Sequence, residues 1–331
     1  MSETNSPKAN VNAARLLLEY YGYDSLSYFA LNPKKKYFFS SSGRSFLSYT
    51  TLAGVALVSG DPIGLAEDVR ALYEEFSFFT KGSKLSTCFI GIHEKSLPLL
   101  HSFHHKTIHA GDEAIVSLDE YNKNSLKKKV RRAESHISSL GIVCKIYSRK
   151  DLPLHYLEQI YAISQEWLQQ KGGKEQGFSM TLGRIPDLVD KDCEFILAIK
   201  EDTILGYITF VPSYASKSRS LDLSRRRHNT PNGLTEFLLI KAFDYYKEKD
   251  IRQVSLNFAT FYKHNYQHKY SLFKLLNLIA HKSLSKIYKT NNLYSFNEKF
   301  LPKWQSRYVA FEKTRFIPYY LFAIAKTELN I

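Results

Sequence analysis

Short β-rich runs give way to helical periodicity twice along this chain, in the same order, and that repetition narrows the possible folds more than any other feature. In the first half, residues 37–39, 46–49 and 54–59 are β-rich runs separated by Ser and Gly turns, the pattern of an antiparallel meander. Gly60-Asp61-Pro62-Ile63-Gly64 turns the chain, and Val69, Leu72, Tyr73 and Phe76 then recur at helical spacing, which predicts a helix over 66–79. A strand around 88–92, a helix near 96–103, a strand around 114–116 and a basic helix over 123–140 follow. Gly141 ends that helix and 142–147 reads as its closing strand. The second half repeats the outline: a helix at 154–170, a glycine-rich loop, strands at 195–199, 205–211 and 220–223, a helix at 234–249, a strand at 254–258 and a helix at 272–288. The expectation is α+β, with one unit over residues 1–150 and a second over 151–331. With 44% apolar residues in 331, each has enough to bury a core.

Charge limits the partners. Lys and Arg number 46 against 32 Asp and Glu, a formal +14, which favours encounter with polyanions such as nucleic acid or anionic lipid headgroups. No apolar run approaches the ~20 residues needed to cross a bilayer, and residues 1–9 lack the basic-then-apolar pattern of a signal peptide. A cytoplasmic protein touching the inner face of the membrane peripherally is expected. Cys88, Cys144 and Cys193 are odd in number and widely spaced, which reads as free thiols in a reducing compartment. His101, His104, His105 and His109 cluster without the acids or cysteines that would complete a metal site. Trp167 and Trp304 read as core residues.

The most informative segment is a strand, a basic loop and a helix start in succession. Ser220-Leu221-Asp222-Leu223 leads through Arg225-Arg226-Arg227 to Pro231-Asn232-Gly233 and then into the helix. Unsatisfied N–H groups at such a helix start suit a phosphate, carboxylate or oxyanion. In the GNAT acetyltransferase fold the cofactor pyrophosphate sits at this point, in a compact glycine-rich loop. Here the loop from Arg225 has the single glycine Gly233, so coenzyme A is not the expected acyl donor. A solvated charge run and a plain turn explain the loop equally well on their own. Asp222 just before it and Glu236 one turn into the helix favour a polar cleft, one carboxylate acting as base and the other orienting an amine. Lys127, Lys128, Lys129, Arg131 and Arg132 on the basic helix form a candidate surface for nucleic-acid phosphates, against the alternatives of a solvated face or one drawn to anionic lipid.

At these residues the chain resembles the C-terminal synthase region of the multiple peptide resistance factor family, the aminoacyl-phosphatidylglycerol synthases. The similar segments are Gly22-Tyr23-Asp24-Ser25-Leu26-Ser27-Tyr28-Phe29-Ala30-Leu31, Tyr37-Phe38-Phe39 and Gly60-Asp61-Pro62-Ile63-Gly64 in the first half. In the second they are Glu175-Gln176-Gly177-Phe178-Ser179, Asp222-Leu223-Ser224-Arg225 with Pro231-Asn232-Gly233, and Tyr294-Ser295-Phe296 through Lys299-Phe300 to Pro302-Lys303-Trp304 and Arg307-Tyr308. Their shared order covers nearly the whole chain. The resemblance implies two tandem GNAT-like domains, the second carrying the transfer site, a basic face for the tRNA acceptor arm, a tunnel admitting the lipid, and neither metal nor coenzyme. By matching position it makes Asp222, Arg225, Glu236 and Lys299 the catalytic candidates, with Arg307, Asn232, Gly233, Glu175 and Ser179 binding substrate. The chain departs from the family pattern at Leu256-Asn257-Phe258-Ala259-Thr260-Phe261 and at Asn297, and a membrane-spanning flippase half is missing, so it is expected to make a modified lipid and not to move it.

The implied activity takes an aminoacyl group, lysyl, alanyl or similar, from charged tRNA to a lipid hydroxyl, most simply that of phosphatidylglycerol. Arg225 and Lys299 would face developing negative charge; Asp222 or Glu236 would take the hydroxyl proton or hold the aminoacyl ammonium. Two other classes stay open: a GNAT-like N-acyltransferase with another acyl donor, and a non-catalytic tRNA- or membrane-binding module. Near the C-terminus, residues 316–325 are aromatic and aliphatic, bracketed by Arg315 and Lys326. They read either as an element packed into the second half or as a short segment lying among lipid headgroups.

Overall fold

The computed structural model describes residues 7–170, 179–260, 290–313 and 316–329. After an N-terminal helix, α1 (Pro7–Tyr21), come strands β1 (Lys36–Phe39), β2 (Ser45–Leu52), β3 (Val55–Ser59) and the short β4 (Ile63–Gly64). Helix α2 (Val69–Gly82) leads to β5 (Ser86–His93), α3 (Leu97–Ser102) and the long β6 (Lys106–Ser117). Helix α4 (Lys128–Ser139), β7 (Val143–Ser148) and α5 (Leu154–Gln170) bring the chain to a second meander, β8 (Glu194–Lys200), β9 (Thr203–Ser213) and β10 (Ser218–Arg226). It continues through α6 (Leu234–Glu248), β11 (Gln253–Thr260), α7 (Thr290–Asn297), β12 (Lys303–Phe311) and α8 (Ile317–Leu329).

All the strands among the described residues form one sheet, ordered β1-β2-β3-β5-β12-β6-β11-β10-β9-β8-β7, with β4 paired to β2. The repeated order is visible in its pairing. In each half an antiparallel meander gives way, across a helix, to a parallel neighbour: β3 beside β5 over α2, and β10 beside β11 over α6. A parallel pair needs such a crossover because the chain must return to the same end of the sheet. The last strand of each half then joins strands of the other: β12 lies between β5 and β6, and β7 pairs with β8, while β6 also pairs with β11. The architecture is α+β, as the element order predicts. The boundary expected near residue 150 falls between β7 and α5, and the sheet is continuous across it because β7 pairs with β8.

Alternation along the strands assigns the two faces. Ile196, Ala198, Ile208 and Phe210 pack under α4 and α6, while Phe195, Leu197, Ile199 and Tyr207 pack under α5. Helix α1, not foreseen in the polar N-terminal sequence, buries Ala14 and Leu18 against the segment holding Leu26, Tyr28 and Phe29. Helix α8 buries Tyr320, Leu321, Ala323 and Ile324 on Val55, Leu57, Cys88 and Ile90. The C-terminal segment therefore packs on strands of the first half, correcting the expectation that it would pack into the second. The helix expected over 272–288 lies outside the described residues.

Among the described residues no helix is long and apolar enough to cross a membrane. All three cysteines are free thiols, and burial pushes that of Cys144 up to about 12.

Candidate functional site

The insertion of β12 between β5 and β6 brings Arg307 to the middle of the sheet, opposite His93 of β5 and Gly111 of β6. Arg307 is 1% exposed, and every polar edge of its guanidinium is engaged. Nη1 lies 2.8 Å from Asp24 Oδ2 and donates to the Gly91 carbonyl at 3.2 Å. Nε donates to Glu113 Oε2 at 2.8 Å, and Nη2 contacts the same oxygen and Ser25 Oγ. The other oxygen of Glu113, Oε1, accepts from the hydroxyls of Ser25 and Ser255. A third carboxylate, Asp61, accepts the His93 N–H at 3.1 Å through Oδ2, and its Oδ1 is buried with no hydrogen-bond partner among the described residues.

Asp24, Asp61 and Arg307 line a cleft of about 580 Å³, together with Tyr23, His93 and three further cations, Lys95, Lys217 and Arg252. Three carboxylates around one guanidinium leave negative charge over once all are ionised. Burial and the charge of Asp24 together push Asp61 up to about 7. Burial, and then the Arg307 charge, hold the His93 imidazole below its ordinary value. Burial alone would lower the pKa of Arg307; Asp24 and Glu113 outweigh it and hold the guanidinium above its ordinary value. An unmatched buried carboxylate oxygen is costly in a closed protein and useful in a cleft that receives a cation.

From Glu113 the polar chain continues along β11. Asn257, in the left-handed region at φ 72°, donates its side-chain amide to the Met180 carbonyl at 2.7 Å and to the Leu221 carbonyl at 3.2 Å. Its own N–H donates to Ser255 Oγ at 3.1 Å. This is where β10 and β11 part, since they pair only from Ser218–Gln253 to Ser220–Ser255. Asp222 stands just beyond, its Oδ1 accepting from Thr181 Oγ1 at 2.7 Å and Leu182 N–H at 3.0 Å. Ser179 precedes that loop and donates through its N–H and hydroxyl to the buried Glu328 on α8. The hydrogen bonds that run from Arg307 thus end on the carbonyls of Met180 and Leu221, the residues just before Thr181 and Asp222.

The remaining expected residues lie elsewhere. Arg225 is buried on the α5 face, over the Trp167 ring at 4.9 Å and donating to Ser164 Oγ. Glu236 and Lys299 form an ion pair of 2.7 Å at the start of α6, in the layer on the opposite face. The structure therefore does not gather Asp222, Arg225, Glu236 and Lys299 into one cluster. The basic loop does not converge on an anion either, because Arg227 donates to the Ile204 carbonyl at 2.9 Å and lies 3.9 Å from Glu166. Asn232 is exposed. Gly233 sits at φ 94°, and a Cβ there would meet the Ala133 Cβ of α4 at 2.7 Å, so this glycine sets how closely α4 approaches α6. Glu175 lies outside the described residues. Lys127, Lys128, Lys129, Arg131 and Arg132 are all exposed around the start of α4, while Val130, Glu134 and Ile137 of that helix face inward. Trp304 stacks on Tyr294 at 4.3 Å, and the histidines pair locally, His105 with Thr87 and His109 with Asp112.

Asp24, Ser25, Asp61, Glu113 and Ser255 were not singled out by sequence reasoning. For two of the acids a signal existed: Asp24 and Asp61 sit inside the glycine-flanked segments 22–31 and 60–64. Glu113 had none, since its strand reads as an ordinary apolar run interrupted by acids.

A family model described as "Phosphatidylglycerol lysyltransferase, C-terminal" matches residues 14–311. The chain is 31% identical over 326 residues to the lysylphosphatidylglycerol biosynthesis bifunctional protein LysX of Rhodococcus jostii, a match covering 95% of this chain and 28% of that protein. It thus spans little more than a quarter of the curated relatives it matches. Among solved structures, L-PGS from Bacillus licheniformis superposes with a TM-score of 0.85 at 23% identity, covering 100% of this chain and 99% of the other. The C-terminal domain of a putative lysylphosphatidylglycerol synthetase from Agrobacterium fabrum gives 0.85 at 20% identity, covering 98% and 99%. At these identities the superpositions speak for the fold.

Proposed function

Given that the chain belongs to the phosphatidylglycerol lysyltransferase C-terminal family, we propose that it moves an aminoacyl group from charged tRNA to a hydroxyl of a membrane lipid, with phosphatidylglycerol the acceptor. The observation that carries this reading is the polar cleft around Arg307, with the unmatched Asp61 oxygen inside it. An aminoacyl ester always brings an α-ammonium, and a lysyl group brings a second. In the cluster around Arg307 three carboxylates, Asp24, Asp61 and Glu113, face one guanidinium, a local excess that suits such a cargo, while Lys95, Lys217 and Arg252 of the same lining suit phosphate. Lysyl is therefore the first donor to test.

The ester of aminoacyl-tRNA is already activated, so the protein's work is to place the lipid oxygen against its carbonyl carbon and hold the cargo still. The lipid O–H loses its proton to a carboxylate, and Asp222 is the candidate for that role. The new ester bond forms as the carbonyl carbon parts from the terminal ribose oxygen, which takes the proton as it leaves. The exposed cations of α4 provide a surface for the tRNA phosphates, and the Glu236–Lys299 pair lies in the same layer.

Mass spectrometry of lipids from a bacterial host with and without the gene tests the reading. The expected outcome is a new species heavier than phosphatidylglycerol by one aminoacyl residue. A lipid profile identical in both strains would remove the proposal.

A further inference from the structure

A second hollow, of about 340 Å³, lies at the Ser86 end of β5, opposite the His93 end that borders the Arg307 cleft, where α8 packs on β3 and β5. Its floor is the β2–β3 turn at Ala53-Gly54 with Val55 and Leu85, and its walls are Phe316 and Tyr319 of the C-terminal segment. Lys81, Lys84 and Lys313 stand around it, with Glu312 the one acid among the described residues of its lining. Glu312 approaches Lys313 at 3.5 Å, so three cations against one carboxylate leave the wall net positive.

The surface continues outward from the hollow in both helices. On α8, Tyr319 and Phe322 are each 54% exposed, and with the exposed Lys326 they follow one another at intervals of three and four, so they share a stripe. The opposite side of the same helix is core. On α2, Phe78 is 83% exposed one turn before Lys81. A large aromatic exposed to that degree has no packing role in the chain. Aromatic rings beside lysines at the rim of a small cationic hollow match a lipid–water interface, where rings enter the headgroup region and ammonium groups meet phosphate.

We propose that this hollow seats the phosphate of an anionic phospholipid and that Phe78, Tyr319 and Phe322 around it are the face on which the protein rests on the membrane. The inference rests on the lipid-directed reading above and adds where the chain meets the bilayer. Docking here is separate from substrate capture. None of these residues lines the Arg307 cleft, so weakening the surface lowers access to lipid in a bilayer and leaves the chemistry intact.

The test is flotation of the full chain with vesicles of phosphatidylcholine alone and of phosphatidylcholine with about 30% phosphatidylglycerol, an anionic content to which lysine clusters respond. Three proteins are compared: wild type, the triple variant Lys81→Glu, Lys84→Glu, Lys313→Glu, and Phe322→Asp. Wild type is expected to bind the anionic vesicles and to release them at high salt. The triple variant is expected to lose about two orders of magnitude in partitioning, at about fivefold per lysine near an anionic surface, and Phe322→Asp about tenfold. Both should keep the wild-type melting temperature and transfer rate to a short-chain acceptor dispersed in detergent. Folded variants that float as wild type does overturn the surface. So does loss of flotation on reversing Lys127, Lys128 and Lys129 while the triple variant still binds, which would put the membrane on α4. Flotation abolished in the variants, with no transfer by wild type to either acceptor, upholds the surface and overturns the aminoacyl transfer instead.

Discussion

At residue scale four charges make the site, Arg307 and Glu113 fully buried and Asp24 and Asp61 partly so. Arg307 bridges Asp24 and Glu113, and Asp61 waits beside them with one oxygen unmatched. Removing the guanidinium leaves carboxylates facing each other away from water, so Arg307→Ala should cost about 3–5 kcal/mol of stability in urea denaturation, far more than a surface cation would. Asp61 makes a prediction in pH. Its pKa, raised to about 7 in the folded protein, favours the protonated form, so its stabilising contribution is full below the unfolded value and is lost as pH rises through about 7. Buried Lys35, lowered to about 7, works in the opposite direction. The informative quantity is therefore the difference between wild type and Asp61→Asn. The melting temperature of wild type relative to the variant should fall as pH rises through about 7, and a constant difference would contradict the shift. Binding of a cationic ligand, which needs the ionised carboxylate, should strengthen over the same interval in wild type and stay flat in the variant.

At the scale of elements, what was legible was what is local. The spacing of Val69, Leu72, Tyr73 and Phe76, the alternation through Ile196 and Phe210, and the apolar pattern of 234–248 each declare a period within a few residues, and α2, β8, β9 and α6 follow them. Which strands become neighbours is not local. The placement of β12 between β5 and β6 joins residues some two hundred positions apart, and that placement builds the Arg307 site. Arg307 was therefore reachable through its family motif, while its partner Glu113 was not reachable at all. The basic start of α4 is the reverse case, its charges plain in the sequence and exposed in the fold. If it carries tRNA, reversing Lys127, Lys128 and Arg131 should lower the slope of log affinity against log salt by roughly 0.7–0.9 for each phosphate no longer neutralised. An unchanged slope would assign those cations to solvent.

At the scale of the whole molecule, two similar runs of elements interleave through β12, β6 and β7 and so become one sheet. The consequence is that the cleft draws Asp24, Asp61 and His93 from one half and Ser218, Gln253 and Arg307 from the other. Neither half holds a complete site. The cationic α4 and the aromatic, lysine-rimmed hollow lie against different strands of the one sheet, which would let a nucleic acid and a membrane approach without competing. The most direct test of the account is a single transfer assay. Purified chain is mixed with tRNA charged with radiolabelled lysine and with phosphatidylglycerol vesicles, and label extracted into the lipid phase is counted. The account predicts label in lipid with wild type, and a reduction of at least about 10²-fold with Asp61→Asn that remains folded, as for removal of one preorganised electrostatic contact to the reacting group. Label that stays on tRNA with wild type, whichever aminoacyl group is supplied, would contradict it.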